Sequence, residues 1–369
     1  MKRTPLYDAH AALNARLVDF AGWQMPIHYS GVVDEYYAVR KAAGLFDVSH
    51  MGRIMVTGPG SVGFLQRVAT NDVSKLGIHR SQYSMVCNHQ GGIMDDIFVY
   101  HVKPDEFLVC VNASNREKIL TWFREQVAHG QGCTVEDRSG VLAQVALQGP
   151  ASHTILEACE VKGLGALKPR QCLEALLNGV SCLITRTGYT GEPGYELYMP
   201  ADHAPAFWTK LLATGRHTGL KPAGLGARDL LRLDMAYLLY GNDITEDTTP
   251  LEAGAEWVVD FQKCDFVGRE RLRQQFDHGV QRRLVAFELV EKAVPRHGFK
   301  ILSNGHSGPE KIGEVTSGNL SPILQRGIGL GYVPLKDAAI GSSFAIDIRG
   351  NVVPAIVVKP PFYKKANNK

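Results

Sequence analysis

The sequence has no apolar run of about 18 residues, so nothing in it reads as a transmembrane helix. No hydrophobic stretch follows Met1-Lys2-Arg3-Thr4-Pro5, and the start matches neither a secretory signal nor an Arg- and Ser-rich transit peptide. Cysteine is sparse: seven residues, an odd number, with no two closer than ten positions. That spacing offers no zinc-type pair and fits reduced thiols in a cytoplasmic protein. Neither charge dominates, with 40 Lys+Arg against 37 Asp+Glu and a net charge of +3. The basic residues are dispersed apart from Lys364-Lys365, so a nucleic-acid partner is not expected.

The usual cofactor signatures are also missing. Gly224-Leu-Gly226-Ala-Arg-Asp lacks the third glycine of a dinucleotide fingerprint, and Gly327-Ile-Gly329-Leu-Gly331 has the wrong spacing. There is no Walker lysine, no HExxH and no Gly-x-Ser-x-Gly elbow. These gaps count against nicotinamide enzymes, P-loop ATPases, zinc proteases and common esterases. No nucleotide and no metal is expected.

The remaining composition is that of an ordinary globular protein, with 45% hydrophobic and 21% charged residues. At 369 residues, two or three domains are expected. Glycine is abundant at 38 residues, which favours a β-rich chain with many tight turns. Apolar spacing predicts helices over 31–43, from Ser61, and from about 227 to 239. Ser114 and Glu117 form a capping box ahead of Ile119, Leu120, Trp122, Phe123 and Val127, with Gly130 as the stop. Asp202 is a candidate cap for the helix carrying Phe207, Trp208, Leu211 and Leu212. Strands are expected at 93–102, 107–111, 141–147, 180–187 and 195–199. The polar stretch 274–283 reads as a linker. Short strands at 284–289, 313–316, 328–333, 344–348 and 352–359 then form a separate antiparallel β-domain.

Four constellations carry possible chemistry. In Gly91-Gly92-Ile93-Met94-Asp95-Asp96-Ile97 two acids interrupt an apolar strand. Strand geometry points them to opposite faces, and Asp is depleted in strands, so an interior one needs a reason. A solvated edge strand, or a cap on the Gly-Gly turn, would also account for them, and on the pattern alone is the more common case. Asn112 shares the face of Asp96 if the hairpin register is even; it can also merely start a helix. The loop 187–194 is rigid and Gly-rich, with Glu196 on the strand leaving it; it is either a ligand loop or a plain hairpin. Arg228 opens a helix, which suits an anion or a surface ion pair. A carboxylate (Glu196), a buried acid (Asp96), an amide (Asn112) and a guanidinium (Arg228) suit a ligand with a flat donor edge and an anionic tail. A reduced pterin with a benzoyl-glutamate tail is one such ligand among several.

Thirteen strings in fixed order give a sharper reading: DFAGWQMPIHYSG (19–31), AGLFDVSHMG (43–52), FLQRVATNDV (64–73), GGIMDD (91–96), NASNREK (112–118), LQGP (147–150), RTGYTGEPGYE (186–196), GLGARDLLRLD (224–234), LYGNDI (239–244), TPLEAG (249–254), FVGRE (266–270), VTSGNLSP (315–322) and PFYK (361–364). Over nearly its whole length the chain resembles the T-protein family of the glycine cleavage system, the aminomethyltransferases. The resemblance implies an α+β fold of three domains in a cloverleaf around a central, folate-binding hole. The first domain would be discontinuous (1–50 plus 140–250). The second would be ferredoxin-like (51–139, with parts of 251–275). The third would be a C-terminal antiparallel β-barrel (280–369).

The implied reaction takes the aminomethyl group on the lipoyl arm of a partner H protein. With tetrahydrofolate as co-substrate it yields 5,10-methylenetetrahydrofolate, ammonia and dihydrolipoyl H protein. By position the catalytic aspartate is Asp96. Glu196 and Arg228 would contact folate, and Tyr83, Asn112, Tyr189 and Met51 would line its pocket. A related folate-dependent transferase or demethylase, or a folate-binding iron–sulfur assembly factor, is the alternative. The cysteine motif of such factors is out of frame here, with Cys264 following Lys263 and Arg269 in place of Gln.

Overall fold

The computed structural model describes residues 1–127, 132–303 and 310–365 of a mixed α+β chain. It divides into two compact units. Met1–Val86, Asp95–Asp229 and Lys263–Phe266 form the first; Cys87–Met94, Leu230–Gln262 and Val267–Lys369 form the second.

The first unit holds two larger sheets. One has six strands in the order Cys172–Leu177, Val180–Thr185, Gly194–Pro200, Leu142–Gln148, Ala43–Asp47, Leu220–Pro222, with only the last pairing parallel. Leu45, Val145, Leu147, Ile184 and Leu197 bury one side of it together with Ile155, Phe207 and Trp208 of the helices Ser152–Ala158 and Ala204–Gly215. The other has five strands in the order Arg80–Cys87, Ile93–Lys103, Glu106–Val111, Gly52–Thr57, Thr134–Asp137. Helices Ser61–Val68 and Arg116–Val127 pack together through Phe64 and Phe123, whose rings meet edge to face at 5.3 Å. Tyr100 and Leu108 of the five-stranded sheet pack against Tyr198 of the six-stranded one, which brings the two sheets together.

The second unit is built on a closed six-stranded antiparallel barrel: Arg282–Leu289, Arg326–Pro334, Lys311–Ser321, Lys300–Leu302, Ser343–Ile348, Asn351–Val358. Closure removes exposed strand edges. In the last strand Val353, Ala355 and Val357 point inward while Val352 and Ile356 are exposed, the period of two that alternating faces require. In the same unit Arg232 is buried and ion-pairs with Asp243 at 2.7 Å, and it also donates to Ser317 Oγ at 2.8 Å.

Several local expectations shift. Residues 113–115 form a 3₁₀ turn with Asn112 ahead of it, and the α-helix starts only at Arg116, so Ser114 and Glu117 are not a capping box here. Asp202 lies in a 3₁₀ turn, and the following helix starts at Ala204 without a side-chain cap. The helix expected to Leu239 spans Leu225–Asp234; Ala236 at φ 55° and the bond from Tyr237 N to the Arg232 carbonyl terminate it. The stretch 274–283 expected to be a linker begins as the end of a helix, Arg269–His278, broken at Gly279, and ends on the first barrel strand, Arg282–Leu289. That helix is polar nearly all round, with only Leu272 buried, so apolar periodicity missed it. Gly130 lies outside the described residues.

Candidate active site

The strand Ile93–Lys103 pairs with Glu106–Val111 so that Phe98 faces Cys110 and Val99 faces Val109. Continued back along the hairpin, this even register sets Asn112 opposite Asp96, and the hydrogen bonds agree. Asn112 Nδ2 donates to Asp96 Oδ1 at 2.7 Å. Tyr83, from the neighbouring strand, donates its hydroxyl to Asp96 Oδ2 at 3.0 Å. Burial and the adjacent Asp96 carboxylate push the Tyr83 phenol well above its ordinary pKa, so it stays protonated and donates. The expectation of a buried acid at 96 is met differently: Asp95 is the fully buried member, and Asp96 is half-buried.

Aromatic rings connect this pair to Glu196. The Tyr83 and Phe98 rings lie 5.6 Å apart, and Phe98 stacks on Tyr100 at 5.9 Å. Tyr100 and Thr187 both donate to Glu196 Oε2, at 3.3 and 2.6 Å. Glu196 Oε1 has no partner among the described residues, which leaves one carboxylate oxygen to accept from a ligand. Met51 packs beside Tyr100, Cys110 and Tyr198.

The loop after Thr185 is held rigid from inside. The buried Gln148 amide donates to Thr187 O at 3.2 Å and accepts from Thr190 Oγ1 at 2.9 Å. A Cβ at Gly188 would come within 1.9 Å of the Gln148 side chain, and one at Gly194 within 2.4 Å, so glycine is required where the loop wraps that amide. Buried Arg40 donates to Thr190 O at 2.7 Å and pairs with Glu192 at 3.1 Å. The loop therefore presents Tyr189 from a fixed base.

Arg228 extends over the Tyr189 ring, 4.8 Å from its centroid. Its guanidinium has no carboxylate partner and no side-chain hydrogen bond among the described residues. The position of its helix depends on Glu35, which is fully buried. One Glu35 oxygen accepts from Ser30 N at 2.9 Å and Gly31 N at 3.2 Å, and the other from Gly224 N at 2.9 Å. His50, also buried, is pushed down to about 3, first by burial and then by the positive charges of Arg228 and Arg53 against the pull of Asp47.

The structure thus bonds Asp96, Asn112 and Tyr83 directly and stacks Tyr189 on Arg228. It ties Glu196 to the acid pair through Phe98 and Tyr100, and sets Met51 against the same rings. Asp95, Gln148, Glu35, Arg40 and Thr187 also serve the site. Of these Asp95, Gln148 and Thr187 stood in strings that the sequence marked as chemical or family-like without a role; Glu35 and Arg40 sit in an ordinary helical pattern that gives no signal. Chemically, the arrangement offers a fixed carboxylate to take a proton, a second carboxylate with a free acceptor oxygen, and an unpaired cation. Among the described residues no group of three or more His, Cys, Asp or Glu side chains could hold a metal ion.

Comparison with known proteins agrees along the chain. A family model for the GCVT N-terminal domain matches residues 6–263, and one for the glycine cleavage T-protein C-terminal barrel domain matches 282–364. An aminomethyltransferase of Desulforamulus reducens is 44% identical over 365 residues, covering 99% of both chains. One from Halothermothrix orenii is 47% identical over 362 residues, covering 98% of this chain and 100% of its own. The crystal structure of glycine cleavage system aminomethyltransferase T from Bartonella henselae superimposes with a TM-score of 0.92 at 34% identity, covering 98% of each chain. The chain belongs to the glycine cleavage T-protein family of aminomethyltransferases.

Proposed function

We propose that the chain transfers the aminomethyl group carried on the lipoyl arm of an H protein to tetrahydrofolate, giving 5,10-methylenetetrahydrofolate, ammonia and dihydrolipoyl H protein. Two folate N–H bonds are replaced by two N–CH₂ bonds, while the methylene gives up its bonds to nitrogen and sulfur. One proton leaves with the amine as ammonia, and the other ends on sulfur. The observation that carries the reading is Asp96 held by Tyr83 and Asn112, in a unit that also offers a free Glu196 oxygen and an unpaired Arg228.

Asp96 accepts the proton of the attacking amine. Tyr83 and Asn112 fix its two oxygens, so the acceptor is oriented before the donor arrives. Glu196 Oε1 takes the donor edge of the pterin, and Arg228 the carboxylate tail. Tyr189 and Met51 line the space between them. No covalent enzyme intermediate is needed, because the two substrates bring the reacting bonds. With this reading go the three-domain cloverleaf, with 1–50 plus 140–250, 51–139 with parts of 251–275 (ferredoxin-like) and 280–369 as its domains, and a cytoplasmic setting, which the seven free thiols support.

Tetrahydrofolate added to the purified chain should raise its melting temperature. Glu196→Gln and Arg228→Ala should each weaken that protection by about tenfold or more in ligand concentration, as expected for a lost charge-assisted hydrogen bond. Equal protection of both variants and the wild type would contradict the binding mode.

A further inference from the structure

Asp95 has no role in the chemistry above, yet it is fully buried and collects an unusual set of donors. Its Oδ2 accepts from the backbone N–H of Asn112 at 2.9 Å. Its Oδ1 accepts from Asn112 Nδ2 at 2.8 Å and from Asn115 Nδ2 at 2.6 Å. The same Asn112 Nδ2 also donates to Asp96 Oδ1 at 2.7 Å and to the Asp96 carbonyl at 3.2 Å. One amide nitrogen therefore bridges two carboxylates that follow each other in sequence. A cap for the 3₁₀ turn at 113–115 would not need an acid: Asn or Ser accepts the same N–H bonds without the cost of burying a charge.

We infer that Asp95 is a positioning residue for Asp96, holding its carboxylate through the shared Asn112 amide and placing a second carboxyl group beside it. This rests on Asp96 being the proton acceptor in the reaction proposed above.

The electrostatics fit. Asp96 has Asp95 next to it on its own strand and accepts from Tyr83 of the neighbouring one, while the groups that bond Asp95 are the neutral amides of Asn112 and Asn115. Arg116, the next cation along the chain, spends its guanidinium on Asp137. Burial and the Asp96 charge push the Asp95 carboxyl up, against the pull of its three N–H donors. Two like groups so placed titrate as a pair, and the pair takes its first proton at a higher pH than a lone aspartate would. An ordinary aspartate near ~3.9 is a weak base at neutral pH, so a carboxyl pair that shares its protons bears directly on the mechanism. During turnover the proton leaving the folate amine passes to an Asp96 oxygen as the N–CH₂ bond forms. Asp96 returns it to the departing amine, and the pair ends as it began.

The test compares full-length wild type with Asp95→Asn across acid and neutral pH, using the aminomethylated H protein and tetrahydrofolate. The inference expects kcat to fall roughly ten- to a hundredfold with the tetrahydrofolate KM within about twofold, and the acid limb of the kcat profile to move to lower pH. A purely architectural Asp95 would lower the melting temperature and leave that limb in place; an unmoved limb in the folded variant overturns the inference. Infrared titration of the wild type, which needs neither the variant nor turnover, reads the pair directly. A protonated carboxyl band should persist above the range in which ordinary aspartates ionise, and Asp96→Asn should shift it down. Its absence in the wild type would equally overturn the proposal. A wild type that shows this band but forms no methylenetetrahydrofolate would instead sink the functional reading and leave the pair intact.

Discussion

Adjacent aspartates end in different environments because a strand alternates its faces. Asp95 goes fully into the protein and Asp96 stays half-buried, and the Asn112 amide joins them again. The sequence marked both acids, and strand geometry separated them, but it could not say which face was the core. That depends on the neighbouring strand and on the turn at 113–115, both non-local. Met51 and Tyr189 were nameable as site residues only by resemblance, while Arg228 stood out as a helix-opening cation; nothing in the spacing shows that Arg228 lies over Tyr189. His50 makes a prediction at this scale. Its ring is buried and its Nδ1 lacks a partner among the described residues, and the folded protein holds it neutral down to about 3. The unfolded chain takes up a proton below ~6.5, where the folded one does not, so stability contributed by the neutral ring is lost as pH falls through that window. From pH 7 to pH 5 the loss from this group is roughly 2 kcal/mol. Urea unfolding of wild type and His50→Gln at the two pH values checks it: the variant should show a flatter dependence, and an identical slope would refute the assignment.

Elements here were legible in proportion to how apolar and how regular they are. The hairpin at 93–111 and most strands of the barrel stand close to their expected places because each carries a half-buried apolar pattern, whereas the three-residue strand Lys300–Leu302 was not expected and the strand expected at 313–316 runs Lys311–Ser321. The helix Arg269–His278 did not show, since it is held by pairs such as Arg273–Asp277 rather than by an apolar stripe. The helix ending at Asp234 looked longer, because its stop belongs to Arg232, whose partner Asp243 is a loop away. In the loop at 187–194, glycine spacing suggested rigidity but not its cause, the Gln148 amide packed inside. Gly188→Ala sets a methyl against that amide and forces it off its partners. The variant should lose about 1–3 kcal/mol of stability and most of its folate protection. Chemical denaturation with and without tetrahydrofolate measures both, and full protection would show that the loop does not present Tyr189 to the ligand.

At the scale of the whole molecule, two compact units with a closed barrel in the second follow from alternating strands and a chain long enough to bury large cores without disulfides. Among the described residues no helix is long and apolar enough to cross a membrane. All the residues assigned to the site lie in the first unit, so its geometry is set by two packed sheets and their helices. The claim on which the rest depends is that Asp96 takes the proton when the carbon is transferred. Single-turnover formation of methylenetetrahydrofolate from aminomethylated H protein, with tetrahydrofolate binding measured in parallel, tests it in full-length wild type and Asp96→Asn. The variant should bind tetrahydrofolate as the wild type does and lose on the order of a hundredfold or more in rate; a variant as fast as the wild type would contradict the account.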